Sequence, residues 1–176
     1  MKTTGVIRRI DDLGRIVIPK EIRKNLRIKN GDSLEIMVDE ENLILKKYSA
    51  IESMETIATK YADAIQKTIK HNVIVTDRDK VIAASGSLKT KYIDKTITEF
   101  VERSIERRDS FVERQKKTMN FVDDVDEFCV YSFSSIISNS DCIGGVIIIC
   151  TEGQLLEYEE KMAVVLANLL SKYFVE

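Results

Sequence analysis

Few side chains in this 176-residue sequence could carry covalent chemistry. His71 is the one histidine, and a single histidine cannot build a multi-histidine metal site or most acid–base pairs. Cys129, Cys142 and Cys150 have no metal-ligand spacing and no disulfide-scaffold pattern. The seven glycines never form GxGxxG, and there is no Walker A, nucleophile elbow or HExxH motif. This argues against an enzyme, a metal site and a resident cofactor. The acidic run Asp123-Asp124-Val125-Asp126-Glu127 lacks the glycine and the spaced oxygens of a calcium loop, so a solvated loop is expected there. What remains to do work is fixed positive charge. The formal net charge is only -2, yet residues 1–29 hold 9 Lys/Arg against 3 Asp/Glu, a net of +6. Residues 1–50 sum to +3 and residues 51–176 to -5. A basic end on an acidic body suggests a segment that meets a polyanion, and a solvated face without a partner is the alternative.

The elements that would position these charges can be read in order. Gly5 to Ile10 reads as a strand, Asp11-Asp12-Leu13-Gly14 as a turn, and Arg15-Ile16-Val17-Ile18 as a second β-branched strand. Pro19 stands where a helix begins, and Lys20 to Leu26 supplies two turns with Ile22 and Leu26 inward. Asn30-Gly31-Asp32 turns the chain. Ser33 to Val38 alternates Leu34, Ile36 and Val38 against Ser33, Glu35 and Met37, Asp39 to Asn42 closes a hairpin, and Leu43-Ile44-Leu45 returns. A unit of this size buries little core alone, and it has no cysteine and no metal cluster. Oligomerisation is the remaining staple, which implies an obligate homodimer through residues 1–48. A boundary falls near Tyr48, because Ser49-Ala50-Ile51-Glu52 fits a capping box and opens a stripe of Ile51, Met54, Ile57, Ala58, Tyr61, Ala62, Ile65 and Ile69. No Gly/Ser/Pro-rich linker intervenes, so helix 50–70 is expected to be a stiff joint.

The run from Thr4 through Asp11-Asp12-Leu13-Gly14-Arg15-Ile16-Val17-Ile18-Pro19 to Lys24 resembles the swapped-hairpin domain of the AbrB-type transition-state regulators. The resemblance continues through Asn30-Gly31-Asp32 and Leu34-Glu35-Ile36 to Lys46-Lys47-Tyr48. It implies that two chains interleave their hairpins into one dimeric β core that binds double-stranded DNA. By position it assigns DNA contact to Arg8, Arg15, Arg23 and Lys24, with Arg9 as an added candidate. Lys24 stands where relatives often carry Arg; it keeps the charge and loses the bidentate fork, which favours phosphate over base contact. With no long recognition helix, readout should lean on DNA shape, giving a loose consensus at A·T-rich sites.

The second unit, residues 49–176, reads as a strand at Asn72 to Asp77, a turn at Asp77 to Lys80 and a strand at Val81 to Ala84. A capping box at Thr96-Ile97-Thr98-Glu99 opens a helix with Ile97, Phe100, Val101, Ser104 and Ile105 at helical spacing. Strands follow at Phe111–Gln115, Phe128–Ile137 and Cys142–Thr151, with a turn at Ser138 to Asp141. Folding the last two together sets Cys129 opposite Cys150, expected as small buried hydrophobes. His71, between a helix and a strand, is expected as a cap or surface residue. The fold class is α+β: a swapped-hairpin β domain joined by a helix to an antiparallel sheet flanked by helices.

This pattern, with Cys142-Ile143-Gly144-Gly145-Val146-Ile147-Ile148 as a strand, resembles the GAF family of small-molecule sensor domains. That resemblance implies an effector pocket over the sheet. Ser85, Gly86 and Ser87 could line it, since glycine lets a backbone approach and hydroxyls can bond, and an ordinary turn is the alternative. The two domain types together resemble transcriptional regulators of endospore-forming bacteria. This implies control of sporulation genes as activator and repressor at the nucleoid of the forespore.

The terminal helix 154–174 carries two apolar stripes. One is Leu155, Tyr158, Met162, Val165, Leu166, Leu169 and Tyr173; the other is Ala163, Ala167, Leu170 and Phe174. One stripe can cover its own sheet and the other meet another subunit, giving a homotetramer through helices 50–70 and 154–174; burial of both within one domain is the alternative. The longest uncharged run, Phe128 to Ser140, has 13 residues and is too short to span a bilayer, and the first residues lack the apolar run of a signal peptide. A cytoplasmic protein without a membrane partner is expected. An antitoxin with the same type of head is the other function class, and the 126 residues from 51 to 176 argue against a short toxin-binding tail.

Overall fold

The computed structural model describes residues 5–48 and 55–173. Thr4, the Ser49–Glu52 capping box, Ile51, Met54 and Phe174 lie outside them. The chain divides into two compact units, Met1–Tyr48 and Ser49–Glu176.

In the first unit, helix α1 (Lys20–Asn25) opens directly after Pro19, whose φ of -57 suits the helix entry. Strands β1 (Leu34–Asp39) and β2 (Asn42–Lys47) form an antiparallel hairpin that closes at Asp39 opposite Asn42. The strands expected over Gly5–Ile10 and Arg15–Ile18 are not formed, because no described strand lies beside them to complete a ladder. The β-branched side chains that favour extension there are still present, but they stand in solvent: Ile7 is 88% and Val17 72% exposed. Leu26 was expected inward and is exposed, and Ile22 is only half-buried. In β1 and β2, Ile36 pairs with Leu45 and Val38 with Leu43, so these side chains share one face. Ile36, Val38 and Leu43 on that face are exposed. None of the described residues of this unit is buried.

The second unit is built on a five-stranded antiparallel sheet. Its elements are α2 (Glu55–Ile69), β3 (Asn72–Thr76), β4 (Val81–Ser85), α3 (Lys89–Tyr92), α4 (Glu99–Glu106), β5 (Ser110–Val122), β6 (Val125–Ser138), β7 (Asp141–Cys150) and α5 (Glu157–Lys172). The strand order is β4-β3-β7-β6-β5. Central β7 buries Val146, Ile147, Ile148 and Ile149 completely, because both its faces are covered. On one face Val146 and Ile148 pack with Ala58 and Ala62 of α2 and with Ala163, Leu166, Ala167 and Leu170 of α5. On the other, Ile147 and Ile149 pack with Tyr92, Val101, Ile105, Phe121, Tyr131 and Phe133.

Several expectations are corrected here. The box at Thr96–Glu99 does not form: Thr96 bridges Lys80 and Ile97 bridges Val122, so the backbone stays extended and α4 starts one residue after Thr98. Strand β5 runs to Val122, well past Gln115. Helix α5 begins at Glu157, not Gln154. Cys150 lies opposite Val130, not Cys129. The cause is a register shift between Ile137, paired with Cys142, and Ile136, paired with Gly144, which leaves Ile143 as an extra residue. Cys129 and Cys150 therefore point to opposite faces of the sheet, and both thiols are free. His71 is neither a cap nor a free surface residue: its Nε2 lies 3.2 Å from Oε2 of the buried Glu159 on α5. Glu127, in the acidic run, is buried and receives Lys91 Nζ at 3.3 Å. In α5, Leu166 joins Ala163, Ala167 and Leu170 on the buried face, whereas Tyr158, Val165, Leu169 and Tyr173 are exposed. Burial of both stripes within one domain is thus not what the fold does. Helix α2 meets α5 of its own chain where Tyr61 packs on Tyr173, with the hydroxyls 2.5 Å apart.

Gly144 faces the carbonyl oxygen of Thr76, where an added Cβ would overlap backbone that cannot move aside. Gly153 has open space around it, and its φ of +81 is the obstacle. Gly144→Ala is therefore expected to destabilise the second unit by about 3 kcal/mol, and Gly153→Ala by about 1 kcal/mol. Urea unfolding followed by circular dichroism measures both, and equal losses would contradict the assigned causes.

Candidate nucleic-acid interface

The basic residues of the first unit sit on loops and on the short helix. The segment Asp11–Arg15 is a closed loop. The Asp11 N–H donates to Arg15 O at 3.1 Å, and the Gly14 N–H donates to Asp11 O at 2.9 Å. Gly14 takes a φ of +74 that other residues reach only with strain. Asp11 Oδ1 accepts the N–H groups of Leu13 at 3.0 Å and Arg15 at 2.8 Å, and Oδ2 accepts Arg15 Nε at 2.7 Å. The backbone N–H of Arg15 and then its guanidinium hold the Asp11 carboxyl below the usual carboxylate range.

Arg8 and Arg9 precede this loop and are exposed, and Arg8 Nη1 donates to the neighbouring Ile7 O at 3.0 Å. Arg23 is half-buried in the last turn of α1. Its Nη1 donates to Asn30 Oδ1 at 3.4 Å, and its buried Nε has no hydrogen-bond partner among the described residues. Lys24, next along the helix, is exposed. The Asn30-Gly31-Asp32 turn is anchored in turn, because Asp32 Oδ2 accepts the Lys29 N–H at 2.7 Å and pairs with Lys47 Nζ of β2 at 3.2 Å. Arg8, Arg15 and Arg23 are thus each tied to a different local acceptor. Asp11 and Asn30, the residues that hold Arg15 and Arg23, are absent from the sequence-derived site. An aspartate two residues before a loop Leu and four before an Arg is the pattern that could have revealed Asp11.

In the second unit, Ser85, Gly86 and Ser87 lie where β4 ends. Ser85 Oγ donates to Asp63 Oδ1 at 2.5 Å, and Ser87 Oγ donates to Asn72 Oδ1 at 3.2 Å. The same Asn72 oxygen accepts the Leu88 N–H at 2.9 Å. Gly86, with a φ of +105, is pressed against Asn72 where a Cβ would collide. The polar groups of this turn are therefore engaged within the fold. Phe100 of α4 packs with Phe111, Phe121 and Tyr131 of the sheet face beneath it, and Phe111 packs with Phe133, with ring centroids 4.9 to 6.5 Å apart. Tyr92, fully buried nearby, has a hydroxyl without a hydrogen-bond partner among the described residues, and burial followed by the Glu127 charge pushes its pKa far up. Among the described residues there is no cluster suited to a metal ion, and no helix is long and apolar enough to cross a membrane.

Comparison with known proteins unites the two units. Residues 53–174 match the family described as stage V sporulation protein T C-terminal, transcription factor. Residues 7–53 match the family of the bacterial antitoxin MazE. The chain is 45% identical over 174 residues to stage V sporulation protein T of Bacillus subtilis, covering 98% of each chain. Its first unit is 58% identical over 48 residues to the transition state regulatory protein AbrB of the same organism, which is 27% of this chain and 50% of AbrB. The second unit is similar to the GAF domain of an Acinetobacter phosphoenolpyruvate-protein phosphotransferase, with a TM-score of 0.57 at 12% identity over 69% of this chain and 81% of that one. That likeness concerns the fold alone. An AbrB-like DNA-binding head on a GAF-like body defines a transcriptional regulator. The chain belongs to the stage V sporulation protein T family.

A lowered native pKa means that the contribution of Asp11 to loop order is complete above the ordinary aspartate value of about 3.9. It is lost only as pH falls through the lower native value. Titration of the Asp11 carboxyl carbon by NMR should give a midpoint below that ordinary value, and the Leu13 and Arg15 amides should move with it. A midpoint at or above the ordinary value would show that the loop is not held in this way.

Proposed function

We propose that this protein regulates sporulation genes, as activator and repressor, by binding double-stranded DNA through a homodimer of residues 1–48. Arg8, Arg9, Arg15, Arg23 and Lys24 form the contact surface, on A·T-rich sites with a loose consensus. The observation that carries this reading is a +6 segment on a unit none of whose described residues is buried. Val6, Ile7, Ile10, Ile16, Val17, Ile36 and Val38 are exposed in the single chain, and a second head would cover them. Such a dimer doubles the cations on one particle. Lysine and arginine displace counterions from phosphates, so eight matched positions per dimer (Arg8, Arg15, Arg23 and Lys24, twice) allow a log–log salt slope of up to about -7. The protein acts by binding and not by catalysis, in the cytoplasm and at the forespore nucleoid.

Residues 49–176, including linker helix 50–70, serve as the sensor and assembly module. The exposed face of α5 formed by Tyr158, Val165, Leu169 and Tyr173 is the surface for pairing dimers into a tetramer. A small-molecule effector at Ser85, Gly86 and Ser87 would have to replace the bonds these residues make to Asp63 and Asn72. The antitoxin reading has less support. The antitoxin family match ends at residue 53, and residues 53–174 match a transcription-factor family.

Genome-wide mapping and salt titration of purified protein test the contact surface. Arg15→Ala and Arg23→Ala should each lower affinity about tenfold or more and make the salt slope shallower by about 2. Lys24→Ala should weaken all sequences alike. Unchanged maps for both arginine variants would sink the assignment. For assembly, Leu169→Glu should convert tetramer to dimer in sedimentation velocity with the circular dichroism spectrum retained. A persistent tetramer would exclude this face.

A further inference from the structure

We propose that Asp11 is a positioning residue for Arg15: it grips the guanidinium by its Nε edge, turns the two Nη groups outward to DNA, and thereby raises discrimination between DNA sequences. This rests on the reading of Arg15 as a DNA contact. One carboxylate performs two tasks with separate oxygens. Oδ1 ties the Leu13 and Arg15 N–H groups and so shapes the loop, and Oδ2 holds Arg15 Nε at 2.7 Å. The Arg15 side chain is 72% exposed, so the ion pair adds little stability and its use lies elsewhere. A guanidinium held through Nε keeps its Nη1–Nη2 edge available. That edge fits two acceptors side by side, either two phosphate oxygens or O6 and N7 of guanine. An arginine already held in place loses fewer rotamers on binding than a free one, so the contact rewards a duplex of matching shape. The same carboxylate repels phosphates in general. Asp11 therefore trades non-specific attraction for selectivity, and removing its charge should have opposite effects on matched and unmatched DNA.

Asp11→Asn isolates the charge, because the amide oxygen can still accept the two loop N–H groups. Binding of the full-length variant is measured on a duplex selected by the wild-type protein and on a scrambled duplex of the same composition, over a range of salt. The scrambled duplex should bind more tightly and the selected duplex more weakly, with their ratio falling about tenfold or more. In an Arg15→Ala background, Asp11→Asn should leave the ratio unchanged. Equal tightening on both duplexes would reduce Asp11 to a bystander charge and overturn the proposal, as would no change on either. If Arg15→Ala alone changes nothing, the reading of Arg15 as a contact fails. If Arg15→Ala weakens binding and Asp11→Asn leaves the ratio intact, only the positioning role fails. Should Asp11→Asn not fold, the wild-type protein decides. The Arg15 Nε–H should exchange slowly with water in the free protein and remain slow in the DNA complex, and rapid exchange in either state would overturn the proposal.

Discussion

Apolar side chains that one chain cannot bury govern the first unit, and through it the function. A unit of 48 residues has too little interior to cover its own β-branched residues, and none of the described ones is buried. The hairpin β1–β2 shows why. Its turn and register are well formed, but Ile36, Val38 and Leu43 look out on water. Such a face is a cost to an isolated monomer, and the proposed dimer would cover it. If the head dimerises as proposed, fold and assembly are one event there and its stability would depend on protomer concentration. Arg8, Arg9 and Arg15 ride on segment 5–19, which has no strand partner among the described residues, so in the proposed dimer the DNA-binding surface would share that condition.

The second unit meets the opposite condition and needs no partner to form a core. Strand β7 is covered on both faces, with α2 and α5 on one side and the aromatic layer under α4 on the other. Polar links then fix the layers to one another. His71 to Glu159 joins the start of β3 to α5, Asp63 to Ser85 joins α2 to β4, and Arg114 grips Glu160 through Nε at 2.8 Å and Nη2 at 2.6 Å. Glu159 sits at the entry of α5, where burial would raise its pKa, but the Leu156 N–H and His71 together hold it low. These contacts orient α5 so that Ala163, Leu166, Ala167 and Leu170 meet the sheet and Tyr158, Val165 and Leu169 remain outside. An exposed apolar face is thus left over from packing, opposite the buried Ala163, Leu166, Ala167 and Leu170.

The features legible in the sequence were those decided by neighbours along the chain. Asn139 and Ser140 both take positive φ and make the two-residue turn expected between Ser138 and Asp141. Pro19 marked the entry to α1, and helical periodicity located α2, α4 and α5. What escaped was decided by distant neighbours. The bulge at Ile143 leaves no local mark, yet it moves Cys129 out of register with Cys150 and onto the other face. The charged stretch Lys116–Asn120 does not read as strand, and it is one because β6 pairs with it. Thr96 has the type of a helix cap and is held extended by Lys80 across the chain. In the candidate site the cations were readable by type and order, whereas Asp11 and Asn30 matter through where their oxygens lie, which no composition rule supplies.

Charge follows the same division between total and local quantities. At physiological ionic strength a fixed charge is felt over about 8 Å, so a duplex does not sense the chain's sum of -2. It senses the cations it can touch, and these are concentrated in residues 1–29. Two acidic residues of the head are held by local partners: Asp11 by Arg15, and Asp32 by Lys47 and the Lys29 amide. Local neutralisation of this kind would lower indiscriminate attraction while leaving the paired Arg15 side chain exposed. A regulator must find few sites among very many competing ones, so the useful quantity is the ratio of specific to non-specific affinity. A head with every cation unopposed would bind DNA more strongly and regulate it less well.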